Sequence, residues 1–427
     1  MKRYELSEKH LRRAEQTIPL GSQTFSKSRT QYPVGVSPLY IERARGCHVW
    51  DIDGNKYIDL VSSLASVTLG YNNSKIDTAV RKQLRKGVIF SLPGILEAEV
   101  AEMICELVPS AEMVRFGKNG SDATSAAVRL ARAYTGKNKV LVCGYHGWQD
   151  WFIGSTSRNK GVPKDVADLT HTFEFNDLES FRRAVAAEDV ACVVMEPMNV
   201  SYPSPGFLEE IRETTLRLGI VLIFDEVITG FRFTSGGAQK LFGVTPDLST
   251  FGKGLANGFP LSAVVGKREI MMEMENIFFS GTFGGELLSL SSAKAVLIKH
   301  LNNEICPILS DIGTSLEQIT TEVINYNELS DVLSISGHPS WKFLNWSSVN
   351  GYTVTQLKTL FLQECFAKGL IILNSHNVTL AHSKKIQGKI GDIYSGVLKS
   401  LRESIVDGNL DRALKVAPLE PLFTIRK

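Results

Sequence analysis

The stretch Ile220-Val221-Leu222-Ile223-Phe224-Asp225-Glu226 decides how the chain folds. Five consecutive apolar residues without polar alternation read as a strand in a sheet that is covered on both faces. Two runs of the same kind, Val140-Leu141-Val142-Cys143 and Val190 to Met195, lie upstream, with helical segments between them. Short apolar strands alternating with helices predict parallel strands joined by crossover helices, an α/β fold with a mostly parallel central sheet. Asp225 closes its strand, and a carboxylate there is costly to bury without a cationic or hydrogen-bonded partner.

Open sheets of this kind bind ligands beyond the carboxyl ends of their strands, so the residues that follow each run are the place to look for a site. After Val114-Arg115-Phe116 comes Gly117-Lys118-Asn119-Gly120-Ser121-Asp122. After Val140–Cys143 comes Gly144-Tyr145-His146-Gly147, and after Val193–Met195 comes Glu196-Pro197. Further on, Gly252-Lys253-Gly254 sets one lysine between two glycines. Gly120-Ser121 opens a helix whose apolar positions (Ala123, Ala126, Ala127, Leu130, Ala131, Tyr134) follow helical spacing, with Ser121 as N-cap and Gly136 as stop. Ordinary capping would explain that start; so would a phosphate, which unpaired N–H groups and the helix dipole attract. Tyr145 is placed either to stack on a flat ligand or to cover the core, and Asp225 either to pair with a cation or to cap a helix. Lys253 is the sharpest residue, because an amine in a crowded, buried pocket loses its proton readily and becomes a nucleophile. Together these residues specify a flat, phosphorylated, carbonyl-bearing ligand with a basic ring nitrogen, which is pyridoxal 5′-phosphate.

The rest of the chain narrows the classes of function. Its 427 residues are 43% hydrophobic and 22% charged, and 47 basic side chains against 45 acidic ones leave a net charge of +2. No basic excess points to nucleic acid, and no stretch approaches the length of a membrane helix. The six cysteines (47, 105, 143, 192, 306, 365) stand singly, without metal-binding spacing, so no metal site is expected. Scattered thiols and a charged N-terminus predict a cytoplasmic protein. A hairpin-like passage runs from Leu39 to Ile58 through the turn Asp53-Gly54-Asn55, after an amphipathic helix carrying Leu6, Leu11, Ala14 and Ile18. Mixed helix and strand return after about residue 305. The expected organisation is a large domain over 61–305 and a smaller α+β domain built from 1–60 and 306–427.

With these residues in view, the chain resembles the class-III aminotransferases of the type I pyridoxal-phosphate fold, within them the group typified by glutamate-1-semialdehyde 2,1-aminomutase. The resemblance runs from about residue 8 to 420. It is carried by Met113–Phe116, Ser121-Asp122-Ala123-Thr124, Arg129 to Gly136, Tyr145-His146-Gly147 and Glu196-Pro197. Leu222 to Phe231 with Arg232, Gly237-Ala238-Gln239, Gly243 to Leu248 and Lys253 complete it. It implies that Lys253 forms the cofactor Schiff base and that Asp225 pairs with the ring nitrogen. Tyr145 and Val227 would sandwich the ring, Gly120 and Ser121 would hold the phosphate, and Thr282 would reach the phosphate from the other subunit of a homodimer with shared active sites.

The departures from the family pattern concern the substrate. The aminomutase's N-terminal arginine is displaced here to Arg29, behind Gly21-Ser22-Gln23-Thr24-Phe25-Ser26-Lys27-Ser28. The segment between Trp148-Gln149-Asp150-Trp151 and Gly161-Val162-Pro163 is shortened, which argues against a mutase that must retain its intermediate. Phe283-Gly284-Gly285-Glu286 replaces the family's Ser-Asn-Pro pattern. Position 201 is serine, and no arginine lies between Asn374 and Ser383. Candidate substrate contacts are Ser63, His146, Glu196, His376 and Asn377, although a satisfied core histidine would also account for His376. The expected function is an aminotransferase acting on an amino-acid donor and a small carbonyl acceptor, hydroxylated or sugar-like. The aminomutase, and an inactive homologue acting as a binding protein, are the alternatives.

Overall fold

The computed structural model describes residues 3–420, which divide into two compact units. The larger runs Ser74–Pro307 and holds seven strands. In chain order these are β1 Met113–Gly117, β2 Lys139–Cys143, β3 Thr170–Thr172, β4 Val190–Met195, β5 Val221–Asp225, β6 Leu248–Phe251 and β7 Ser262–Gly266. In the sheet they lie in the order β1-β7-β6-β5-β4-β2-β3. β7 pairs antiparallel with both its neighbours, whereas β6, β5, β4, β2 and β3 pair parallel throughout.

The covered-sheet reading is met residue by residue. Every residue of β4 and β5 is buried. Val140, Val142, Cys192, Val194, Val221 and Ile223 pack with helix Gly120–Thr135 through Ala123, Ala127 and Leu130. The alternate residues Leu141, Cys143, Val193, Met195, Leu222 and Phe224 pack with Phe207, Leu208 and Ile211 of helix Phe207–Leu218. Apolar side chains at both parities of a strand therefore bury against different helix layers, which is why the sequence shows no alternation.

Among the described residues, the smaller unit comprises the chain up to Asn73 and from Ile308 to Glu420. Strands Ile41–Arg45, His48–Asp51 and Lys56–Asp59 form a meander, and Leu370–Ile371 from the far end of the chain adds to it in parallel, Leu370 opposite Ile58. The turn works as the sequence predicts: Gly54 has φ +84°, and the Asp51 carboxylate accepts the Asn55 backbone and side-chain N–H groups at 2.7 and 2.8 Å. A second sheet pairs Leu333–His338, Trp341–Trp346 and Ser375–Asn377.

Two boundaries differ from expectation. The first helix is Glu5–Ala14, so Ile18 lies beyond it at the start of a Pro19 turn, and Leu6 is exposed while Leu11 and Ala14 are buried. The chain leaves the smaller unit at Asn73 rather than at 60, because Tyr71 is tied back into that unit. Its backbone exchanges hydrogen bonds with Gly46 at 2.8 and 2.9 Å, and its hydroxyl donates to Asp59 at 2.7 Å. The ends of the expected small domain, 1–2 and 421–427, lie outside the described residues.

Candidate active site

Four adjacent parallel strands deliver the polar residues to one edge of the larger unit. β6, β5, β4 and β2 are neighbours with their carboxyl ends in register: Thr250 lies opposite Asp225, and Met195 opposite both Phe224 and Cys143. Lys253 follows β6, Asp225 ends β5, Glu196 follows β4, and His146 lies three residues past the end of β2.

Asp225 and His146 are a buried pair. Nδ1 of His146 lies 2.8 Å from Asp225 Oδ2, and Nε2 lies 3.1 Å from the carbonyl oxygen of Cys143. A carbonyl can only accept, so this hydrogen bonding assigns a proton to Nε2. Nδ1 then faces the Asp225 carboxylate oxygen. The other carboxylate oxygen, Oδ1, accepts the Val227 N–H at 3.1 Å and the Thr250 hydroxyl at 3.3 Å. Thr124 fixes the histidine backbone by donating to its carbonyl at 2.8 Å. His146 is thus engaged with protein groups at both ring nitrogens. Sequence reasoning missed Thr124 and Thr250, because a threonine inside a strand or helix carries no signal of where its hydroxyl points.

Glu196 is buried and accepts the Tyr145 N–H at 3.2 Å and the Asn199 side chain at 2.8 Å. Burial, and then the Asp225 charge, push its carboxyl up from the ordinary value. Lys253 has a strained backbone, φ +35°, and its amine makes no hydrogen bond or ion pair among the described residues. Burial brings its pKa down to about 8, against the opposing pull of Asp225 and Glu196. Glu226, next to Asp225, does different work. Its carboxylate accepts from Ala238 N at 2.7 Å, Gln239 N at 2.8 Å and the Thr229 hydroxyl, so it ties the turn after β5 to the start of helix Gly237–Phe242.

Helix Gly120–Thr135 starts one residue before the expected cap. Its N-cap is Asn119, and the Asp122 carboxylate reaches back to accept the Lys118 and Asn119 N–H groups at 2.9 and 2.8 Å. Gly120 and Ser121 therefore lie inside the first turn, where backbone N–H groups have no intrahelical acceptor. Close approaches surround them. A Cβ on Gly147 would meet Ser121 Oγ at 2.3 Å, and one on Gly120 would meet Val227 Cγ1 at 3.0 Å. Tyr145 is half exposed, edge-on to Phe152 with ring centroids 5.5 Å apart. Thr282 is exposed in the turn that follows Gly281.

Ser63, His376 and Asn377 belong to the smaller unit. His376 donates or accepts at Tyr394 OH through Nε2 at 2.7 Å, and burial drives its pKa down to about 3. The Asn377 side chain donates to Val61 O at 2.9 Å and accepts from Ser375. Both are buried and hydrogen-bonded within their own unit, while His376 Nδ1 has no hydrogen-bond partner among the described residues. Ser63 lies in a turn, Ser62–Ala65, whose four residues all have positive φ, from 48 to 67°. Such a turn costs about 4–8 kcal/mol for L-residues and needs support. Asp59 accepts the Val61 and Ser62 N–H groups at 2.7 and 3.1 Å, and the Ser62 hydroxyl donates to Asn377 O at 2.6 Å. Ser63 lines a cavity of about 460 Å³ with Lys27, Tyr32, Asp59 and Tyr71, and the Lys27 amine lies 3.4 Å from its hydroxyl.

Among the described residues no helix is long and apolar enough to cross a membrane. The class-III aminotransferase family matches the chain across residues 31–384. The chain is 40% identical over 280 residues to a 3-aminobutyryl-CoA aminotransferase of Cloacimonas acidaminovorans (strain Evry), covering 63% of this chain and 67% of that one. It is also 40% identical over 305 residues to glutamate-1-semialdehyde 2,1-aminomutase 2 of Brevibacillus brevis, covering 66% and 70%. Among solved structures, the pyridoxal-phosphate internal aldimine form of the FumI protein of Sphingopyxis sp. MTA144 is similar with a TM-score of 0.87 and 25% identity, over 94% of this chain and 97% of that one.

Proposed function

The chain belongs to the class-III aminotransferases, and from that membership we propose that it carries an amino group from an amino-acid donor to a small carbonyl acceptor by way of Lys253. Pyridoxal 5′-phosphate is the cofactor of this family. When bound, it supplies an aldehyde that condenses with amines and a pyridine ring that takes up the electron pair left when a carbon gives up its proton. The residues fit that group. The Gly120 and Ser121 N–H groups and the Ser121 hydroxyl suit a phosphate at a helix start, and the Gly147 backbone leaves no room there for a side chain. Tyr145 and Val227 offer the flat and branched surfaces that would hold a ring between them.

The observation that carries the reading is the pairing, at adjacent strand ends, of an amine of lowered pKa that makes no ion pair among the described residues with a buried carboxylate 2.8 Å from His146 Nδ1. Lys253 is the nucleophile toward the cofactor when neutral, and the general base and acid that moves the substrate's carbon proton. Asp225 holds a proton on the ring nitrogen, and His146 keeps Asp225 oriented. Glu196 stays tied to Tyr145 and Asn199, at the back of the site.

The acceptor's hydroxylated character now rests on the sequence alone. Ser201, and the stretch from Asn374 to Ser383 without arginine, leave fewer groups for a second carboxylate. We further assign a homodimer, supported by the exposed apolar residues Phe90, Leu92, Ile95, Phe278 and Phe283 of the larger unit. Thr282 would then serve the partner's phosphate.

Replacing Lys253 by alanine tests the assignment. The visible absorbance of the holoenzyme should disappear and turnover should fall by about 10³-fold or more; a variant that keeps both overturns it. Following the donor's keto-acid product separates the two enzyme readings. A transferase forms it in step with the aminated acceptor. Conversion of glutamate 1-semialdehyde without any external donor would instead establish the aminomutase, which the Brevibacillus relative favours. A holoenzyme whose absorbance no amine donor alters would be a binding protein.

A further inference from the structure

A second cavity of the smaller unit, about 360 Å³, uses none of the residues assigned above. Its wall is basic. Lys56 comes from strand Lys56–Asp59, His48 from the strand beside it, Lys368 from the turn after helix Val354–Ala367, and Lys389 from helix Lys384–Val406. Asp392 is the only acid that lines it, and Tyr57, Ile58 and Ile393 complete the lining.

Three features show that this positive charge is built in and left unneutralised. Lys56, Lys368 and Lys389 make no ion pair among the described residues, and neither does Asp392. Arg43 and Arg45 lie on the adjoining strand, with Arg45 directly opposite His48, in a chain whose whole net charge is only +2. Two of the lysines lie against neighbouring groups. Gly369 takes φ +83°, a turn in which a Cβ would stand 3.2 Å from Lys56 O. The Lys368 side chain lies across the long helix where a Cβ on Gly396 would meet it at 3.3 Å, and Lys56 is 5.3 Å from the Trp50 ring centroid. Burial, and after it the Lys56 and Lys389 charges, hold His48 below its ordinary pKa, so their field reaches into the cavity.

We propose that this pocket binds a phosphorylated small molecule carrying at least two negative charges, recognised through its phosphates. A single anion would satisfy one ammonium and leave the others repelling each other, whereas a polyphosphate relieves all three. Lysines present compact charges with rotatable donors and suit phosphate oxygens without demanding a planar ligand. Trp50 adds no stacking platform, because the Arg43 guanidinium already lies 3.9 Å from its centroid. That places recognition in the phosphates rather than in an attached base.

Calorimetric titration of the holoenzyme with inorganic pyrophosphate, at low salt, tests this. Saturable binding at one site per chain is expected, weakening as salt is raised. The triple variant Lys56→Ala, Lys368→Ala, Lys389→Ala should bind about tenfold more weakly or worse, and Asp392→Asn about twofold to threefold more tightly, since the first removes positive charge near the ligand and the second removes a negative one. All four substituted side chains are exposed, so the variants should keep the wild-type melting temperature and holoenzyme absorbance. ADP should match pyrophosphate within about threefold if the phosphates alone are read. Absence of saturable binding, or equal affinity in the triple variant, overturns the proposal. So does tighter binding of a short single-stranded RNA that the triple variant loses, which would make the patch a nucleic-acid surface.

Discussion

Replacing His146 by alanine separates two accounts of this residue more cleanly than any other change. If it touched substrate, KM would rise and the fold would be indifferent. As a support for Asp225, it should affect stability and kcat instead. Alanine removes the 2.8 Å bond to Asp225 and the 3.1 Å bond to Cys143 O, together with the packing of the ring against Phe152 at 5.3 Å between centroids. Asp225 keeps only the Val227 N–H and the Thr250 hydroxyl, both on its other oxygen. Removing the partner of a buried, hydrogen-bonded carboxylate costs about 1–3 kcal/mol or more. A carboxylate freed to swing by an ångström costs about a hundredfold in rate. The expected result is a holoenzyme less stable in denaturant by that amount, with kcat down about a hundredfold and KM for both substrates within about twofold. His146→Gln, whose amide can still donate to Asp225, should recover part of both losses. Unchanged stability with a raised KM would refute the reasoning and return His146 to the substrate.

Other outcomes follow from the same geometry. Capture of pyridoxal phosphate by the cofactor-free enzyme should rise with pH through about 8, where Lys253 loses its proton, instead of through its ordinary 10.5. Glu196→Gln should move that midpoint lower, because the Glu196 charge is one of the two that hold it up. The same depressed lysine makes the unfolded chain bind more protons between those values, so its contribution to stability should grow as pH rises from 8 to 10.5. Gly147→Ala, with a Cβ driven to 2.3 Å from Ser121 Oγ at φ +121°, should weaken cofactor affinity about tenfold or more as read by fluorescence titration; wild-type affinity would exclude Ser121 from the phosphate site. Asn377→Ala should lower stability by about 1–2 kcal/mol through the lost bond to Val61 O, with KM unchanged; a shifted KM alone would restore it as a substrate contact.

Asp225 and Glu196 were legible because parallel sheets gather strand ends, and a strand without alternation announces its end wherever the apolar run stops; Lys253 follows the mixed strand Leu248–Phe251 and was marked instead by Gly252 and Gly254. The helix from Gly120 was legible as a helix but not to the residue. Asn119, Gly120, Ser121 and Asp122 can all begin one, and the choice fell to the reach of Asp122 back to Lys118 and Asn119. The second residue of the Asp225-Glu226 pair could not be told from the first by chemistry, yet it only ties a turn to a helix start. What stayed hidden depends on direction: which way the His146 ring turns, that Thr124 and Thr250 point toward that pair, and that His376 faces Tyr394. The left-handed turn at Ser62–Ala65 had no local signal at all, since it contains no glycine and is imposed by Asp59 and Asn377.

The parallel pairing of Leu370–Ile371 with Ile58–Asp59 bears on how the polypeptide is made. On the ribosome, the meander of the smaller unit emerges with Asp59 but lacks its last strand until Leu370 and Ile371 have followed, after the whole of Ser74–Pro307. The whole of Ser74–Pro307 is free to fold in the meantime, around contacts that are mostly its own. Closing so long a loop adds little to the equilibrium cost, since that grows only with the logarithm of length. Its effect is on timing: the early strands wait with an open edge, exposed to mispairing. A truncation before residue 370 should therefore yield a chain whose large unit resists protease while its first seventy or so residues do not.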